Sequence, residues 1–267
     1  MKLRFKEDAH LYQTVGDETV KWTSVTSLVG RFAESFDAVS MAEKMAEKKT
    51  GKYKGLTAEE ILNVWDEERE RSCDMGTKFH LSKEMELYEA EHLPLEVFKP
   101  EIDSDGFKVS GSQNLVSGIY PELLIYNETA KICGQSDKVV VDGEWLSIID
   151  YKTNKKIDTE AFSGFRGKKM MLPPVNHLED CNFNHYQLQL SMYMYTILLQ
   201  NPNLKPKDLI IEHYEFEKKE INKFGYPIYL EDENGLPIVK NMTEYHCKFL
   251  KHEVQDLIEY ISKHPIK

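Results

Sequence analysis

Only four cysteines, Cys73, Cys133, Cys181 and Cys247, are scattered over 267 residues, and no two form a Cys-x-x-Cys pair. That scarcity excludes a disulfide framework and points to free thiols in a reducing compartment. No apolar run approaches the roughly 20 residues that a membrane-spanning helix requires. The opening MKLRFKEDAH has neither the apolar core of a signal peptide nor the freedom from acids of a transit peptide. No membrane partner is therefore expected, and the cytoplasm is the expected location. Tight internal repeats are absent. Positive charge is also short: 34 Lys and Arg against 45 Asp and Glu leave a formal net charge of −11. A broad surface that coats a polyanion is excluded, because such surfaces rest on accumulated cations.

What is present suffices for a core. With 41% hydrophobic residues the chain can fold as one domain. We read residues 1–117 as a hairpin and helical part and 118–267 as the core, in a protein expected to be a monomer. The stretch GQSDKVVVDGEWLSIIDYKT (134–153) reads as strand, turn and strand, with β-branched runs around Asp142 and Gly143. Side chains alternate along a strand, so Asp150 and Lys152 face one way and Tyr151 the other. Asp137, Asp150 and Lys152 thus gather at one end of a hairpin. Two carboxylates and an ammonium suit a divalent cation and a water beside it. Alone, an Asp and a Lys two apart read more readily as a solvated ion pair. The apolar run Leu146, Ile148 and Ile149 places these charges at the end of a buried strand instead.

Elsewhere, Leu3–Phe5, His10–Val15 and Thr19–Trp22 suggest an opening hairpin around Gly16-Asp17. Ser24 or Thr26 caps a helix to about Phe32, and a second helix covers about 38–49. Thr57 with Glu60 forms a capping box for a further helix, and the helix carrying Gly76 and His80 runs on to about Tyr88. Residues 93–117 read as loops with one short strand. Ile119–Tyr126 is a strand containing Glu122, and these three strands form an antiparallel meander leading to a crossover helix. That helix, about 184–200, carries Gln189 and Tyr193 one turn apart, with Leu188, Met192, Tyr195 and Leu199 toward the core. A strand over 208–216 follows, then a polar excursion at 225–235. Thr243 is expected to cap a last amphipathic helix to about Lys263. His177, Cys181 and His185 share a face if their segment is helical, but no fourth zinc ligand accompanies them. Residues 152–169 carry six basic residues against two acidic ones, a net of +4, which reads either as a phosphate-binding patch or as a solvated loop.

An acid, about a dozen residues, then Asp-x-Lys resembles the core of the PD-(D/E)XK nuclease superfamily, and GQSDKVV with IIDYKT is similar to its RecB-type branch. Gly76-Thr77-Lys78-Phe79-His80 resembles the branch's upstream Gly-x-x-x-His motif, and Gln189-Leu190-Ser191-Met192-Tyr193 its Gln-x-x-x-Tyr motif. With Ser24-Val25-Thr26, the order is similar to that of phage RecB-like and mitochondrial genome maintenance exonucleases. Ser136 stands where the superfamily name has proline.

The resemblance implies an α/β fold with a restriction-endonuclease-like core, a mixed central sheet flanked by helices, and helical N-terminal additions. It implies a Mg²⁺- or Mn²⁺-dependent DNA exonuclease that leaves 5′-phosphates, in a bacterial or phage-infected cell. The metal would be held by His80, Asp137, Asp150, the Tyr151 carbonyl and Glu122. Lys152 would position water and counter charge on the phosphate, with Gln189 and Tyr193 orienting Lys152 or the phosphate. Ser24, Thr26, Arg166, Lys168 and Lys169 would contact nucleic acid. His80 with the Gln-x-x-x-Tyr helix resembles end-processing enzymes of the branch, which implies a substrate with a free end, and the net acidity, with Tyr151, Phe162 and Phe165 to stack unpaired bases, points to single-stranded DNA. No iron-sulfur cluster is expected, because the clustered downstream cysteines that some of the branch carry are missing. An endonuclease on the same fold and an inactive binding module are the alternatives.

Overall fold

The computed structural model describes residues 2–7, 9–165 and 167–264. Strands β1 (Leu3–Lys6) and β2 (Leu11–Thr14) pair antiparallel, and the two-residue strand β3 (Thr23–Ser24) runs directly into helix α1 (Val25–Gly30). Helices α2 (Ala38–Ala46) and α3 (Ala58–Glu89) follow, then β4 (Glu101–Ile102) and β5 (Lys108–Val109). Strands β6 (Gly118–Asn127), β7 (Ile132–Asp142) and β8 (Trp145–Lys152) form an antiparallel meander. After the small hairpin β9 (Ser163–Gly164) and β10 (Gly167–Lys168), helix α4 (Asn182–Gln200) crosses to β11 (Lys205–Phe216), which lies parallel to β8. A second hairpin, β12 (Lys218–Ile221) and β13 (Pro227–Tyr229), precedes β14 (Val239–His246) and helix α5 (Lys251–Lys263).

This is a mixed α/β fold. Its central sheet runs β14-β11-β8-β7-β3 with β6 on the far edge of β7, and helices flank it. A smaller sheet, β2-β1-β5-β4, lies beside it. Alternation along β8 builds both layers. Leu146 and Ile148 point to a core shared with Leu188 and Met192 of α4, while Ile149 and Tyr151 point to a second core with Phe79 of α3 and Tyr214 and Phe216 of β11. Each fully buried side chain of this size contributes about 1.5–3 kcal/mol, so β8 is anchored on both faces just before its charged end. No helix among the described residues is long and apolar enough to cross a membrane.

The sequence reading needs correction in five places. The opening hairpin closes with the pair Lys6–Leu11, and Gly16 and Asp17 instead form a local turn in which the Asp17 carboxylate accepts from Thr19 N and Oγ1. Helix α2 stops at Ala46. Residues 93–117 hold two short strands, β4 and β5, where one was expected, and the helix carrying His80 is continuous from Ala58, with ion pairs Asp66–Arg69, Glu68–Arg71 and Asp74–Lys78 sustaining an exposed charged stretch in its middle. Thr243 caps nothing: it lies in β14, opposite His213, and the last helix starts at Lys251. Leu199 is exposed, and Tyr195 is only partly buried.

Candidate metal and active site

Strand β7 holds the site because its two edges are treated differently. One edge pairs with β6 from Ile132 to Val141. The other is divided: β8 pairs with Lys138–Asp142, and β3 pairs with Ile132 and Cys133. Between them, residues 134–137 pair with neither β8 nor β3, and β8 peels away as its charged end begins. Tyr151 N then donates to Asp137 Oδ2 at 2.6 Å, so a carboxylate takes the place of a ladder carbonyl. Two backbone neighbours in this opening, Gln135 and Ser136, have a buried polar side-chain atom without a hydrogen-bond partner.

Glu122 lies across from Asp137, flanked by the pairs Pro121–Lys138 and Leu123–Ser136. Its φ of 51° lies in the left-handed region, which is strained for a residue with a Cβ. The consequence is visible along β6: Tyr120 and Ile125 reach the same core although five residues apart, so the strand changes faces across Glu122. His80, on α3, brings Nδ1 to 3.2 Å from Asp137 Oδ1. His80, Glu122 and Asp137 each offer one ligand atom, all within 4.8 Å of one another.

Asp150 and Lys152, on the same face of β8, form a direct ion pair that is largely buried. The Lys152 ammonium lies 4.7 Å from the ring centroid of Tyr186, in the first turns of α4. Gln189 Nε2 donates to the Tyr193 hydroxyl at 3.4 Å, and the buried Tyr193 ring lies against Gly134. Sequence reasoning missed Tyr186. The signal was there: it precedes Gln189 by three residues, one turn along the same face.

The protonation states follow from this crowding. Burial raises the Glu122 carboxyl and the Asp137 charge adds to it, to about 8. Burial likewise lifts Asp150 to about 6, against the lowering by Lys152. For His80, burial disfavours the cation, but the Asp137 carboxylate outweighs it and raises the imidazole to about 9. Lys152 is also raised, since Asp150 and Asp137 more than offset its burial. Asp137 is lowered despite burial by His80 and Lys152. Two adjacent carboxylates, one driven toward its neutral form, are the donor set that a divalent cation relieves. The imidazole suits Mn²⁺ better than Mg²⁺. His80, Glu122 and Asp137 therefore fit a metal, whereas the Asp150 carboxylate is directed at Lys152.

The remaining expected residues divide. Ser24 caps α1, its Oγ accepting from Ser27 N, and Ser24 pairs with Cys133 beside the open stretch of β7. Thr26 is exposed in the first turn of α1 and is not the cap. Arg166 lies outside the described residues. Lys168 contacts Glu179 at 2.7 Å and Glu160 at 3.2 Å, and Lys169 contacts Asp180 at 2.8 Å, so both charges are compensated locally. Tyr151 is buried and cannot stack on a base, while Phe162 and Phe165 are exposed. Cys181 precedes α4, and His177 and His185 pair with Glu253 and Asp180, so the three do not share a helix face. No protein-family model matches the chain, and no curated protein matches it.

Proposed function

We propose that this chain is a divalent-metal-dependent deoxyribonuclease with a restriction-endonuclease-like core, acting as an exonuclease on single-stranded DNA with a free end. One observation carries the reading: the edge of β7 opens between β3 and β8, and a His80–Glu122–Asp137 trio lies beside the Asp150–Lys152 pair. A Mg²⁺ or Mn²⁺ ion held by the trio would polarise the scissile phosphate and its water.

The chain's own groups divide the remaining work. Lys152, raised by its neighbours, stays protonated near neutrality and so acts as a hydrogen-bond donor that orients water and offsets charge on the phosphate. Asp150 holds the ammonium in place. Tyr186 and the Gln189–Tyr193 pair wall the site from the α4 side and limit where a phosphate can lie. The preference for an unpaired strand rests on net acidity and on the exposed rings of Phe162 and Phe165, not on Lys168 and Lys169.

End-labelled single and double strands and a closed single-stranded circle, each incubated with Mn²⁺ or Mg²⁺, test the reading together. Processive shortening of the linear single strand is expected. Rapid nicking of the circle would make the enzyme an endonuclease, and inert substrates alongside tight Mn²⁺ binding would make it a binding module.

A further inference from the structure

A cavity of about 850 Å³ lies away from the acids, where β3, the start of β7 and the ends of α1, α4 and α5 meet. Three cations line it: Lys21, Arg31 and Lys131. Among the described residues none of the three forms an ion pair with a carboxylate, in a chain of net charge −11 whose Lys168 and Lys169 are both paired. Lys131 lies near enough to the exposed Asp17 carboxylate to lower its pKa, yet three like charges in one concavity still repel one another, and a bound anion would offset that cost. The cavity also has an apolar, aromatic wall. Trp22 is fixed by its indole donating to Thr14 Oγ1 at 3.0 Å, with Lys131 held 5.4 Å from its ring centroid. Tyr195, Leu199 and Ile258 continue the wall. Its volume is in the range of small-molecule sites.

We propose that this cavity is a binding site for a nucleoside phosphate, with the phosphate on the three cations and the planar base on the aromatic and aliphatic wall. It is not the reacting position. Lys131 immediately precedes β7, and Asp137 lies six residues further on, roughly 20 Å at about 3.3 Å per residue. The same chemistry could be presented by a free nucleotide or by a distal nucleotide of a strand whose end lies at Asp137. Only the second source rests on the nuclease reading.

The test is direct binding in EDTA, where cleavage cannot interfere. Wild type and the Lys21→Glu/Arg31→Glu variant are titrated with thymidine 5′-monophosphate, inorganic phosphate and a twelve-nucleotide oligothymidylate. Thermal melting confirms that the variant is folded, and the milder Arg31→Gln variant is run beside it. At least a tenfold loss of affinity for both the mononucleotide and the oligonucleotide supports a free-nucleotide site. A loss confined to the oligonucleotide, with a salt slope flatter by about two phosphate contacts, supports the strand segment. Unchanged affinities in the variant, no binding by wild type at millimolar ligand, or inorganic phosphate binding as tightly as the nucleotide would each overturn the site. The mononucleotide titration involves no residue of the metal site, so failure of the nuclease reading and failure of this site are separable.

Discussion

A Cβ built on Gly134 would lie 2.6 Å from Cε1 and 2.7 Å from the hydroxyl of Tyr193. Here glycine is required by the close approach of a ring, not by backbone conformation, for Gly134 is not among the positive-φ glycines. Tyr193 is buried and has no room to retreat. Gly134→Ala should therefore cost about 1–3 kcal/mol by overpacking and move the ring away from Gln189. In a Tyr193→Ala background the same substitution should cost much less, so a double-mutant cycle in urea measures the contact. Additive costs would show that the ring and the strand are not coupled.

Lys152 and Asp150 share one buried ion pair, so the single substitutions are unequal to the double one. Lys152→Met leaves a buried carboxylate without its cation and should destabilise the protein by about 3–5 kcal/mol. Adding Asp150→Asn should recover most of that stability. Activity should not return in either variant: a loss of at least ~100-fold is expected where a positioned electrostatic group is removed. Normal cleavage by Lys152→Met would refute the assignment of this pair to the chemistry.

Glu122→Gln separates metal binding from folding. Without metal, the amide replaces a carboxyl that burial and the Asp137 charge already drive toward its neutral form, so the variant should melt no lower than wild type. With Mn²⁺, its stabilisation should be smaller by about 1.4 kcal/mol for each tenfold loss in affinity. An equal Mn²⁺-induced rise in melting temperature in both proteins would remove Glu122 from the ligand set.

The legible parts of this molecule are those where local pattern and tertiary context agree. The β7–β8 hairpin could be read because β-branched runs flank a turn at this point, but the two turn residues are Gly143 and Glu144, with Asp142 still in the ladder opposite Trp145, and the pairing of Lys138 with Ile149 follows from that register. Glu122 could be placed on a strand, but not its left-handed backbone, which falls where the β6–β7 ladder is interrupted opposite Asp137. Strand β14 was hidden because its exposed face is polar, so Thr243 looked like a helix cap when it is half of an edge ladder. The pairing of Lys168 and Lys169 with Glu160, Glu179 and Asp180 could not be read either, since it depends on how the loop folds back before α4. The cavity was hidden for the same reason: Lys21, Arg31 and Lys131 come together only once β3 pairs with β7.

Asp180 gives the fold a dependence on acidity away from the metal site. Its carboxylate, almost wholly buried, meets Lys169 at 2.8 Å and His185 at 2.8 Å. Burial raises its pKa, but the hydrogen bond and charge of Lys169, together with His185, outweigh that and hold it below the ordinary value of 3.8. A carboxyl depressed in the folded state contributes stability that is present above the unfolded value and lost as pH falls through the folded one. Stability of the wild type should therefore decline below about pH 4. Asp180→Asn should be less stable at pH 7 and show a shallower decline in acid, measured by urea unfolding across that range. Because Lys169 follows β10, the variant should also loosen the segment carrying Phe162 and Phe165, visible as faster proteolysis there. Parallel acid limbs in the two proteins would mean that the Asp180 pair contributes nothing to folding.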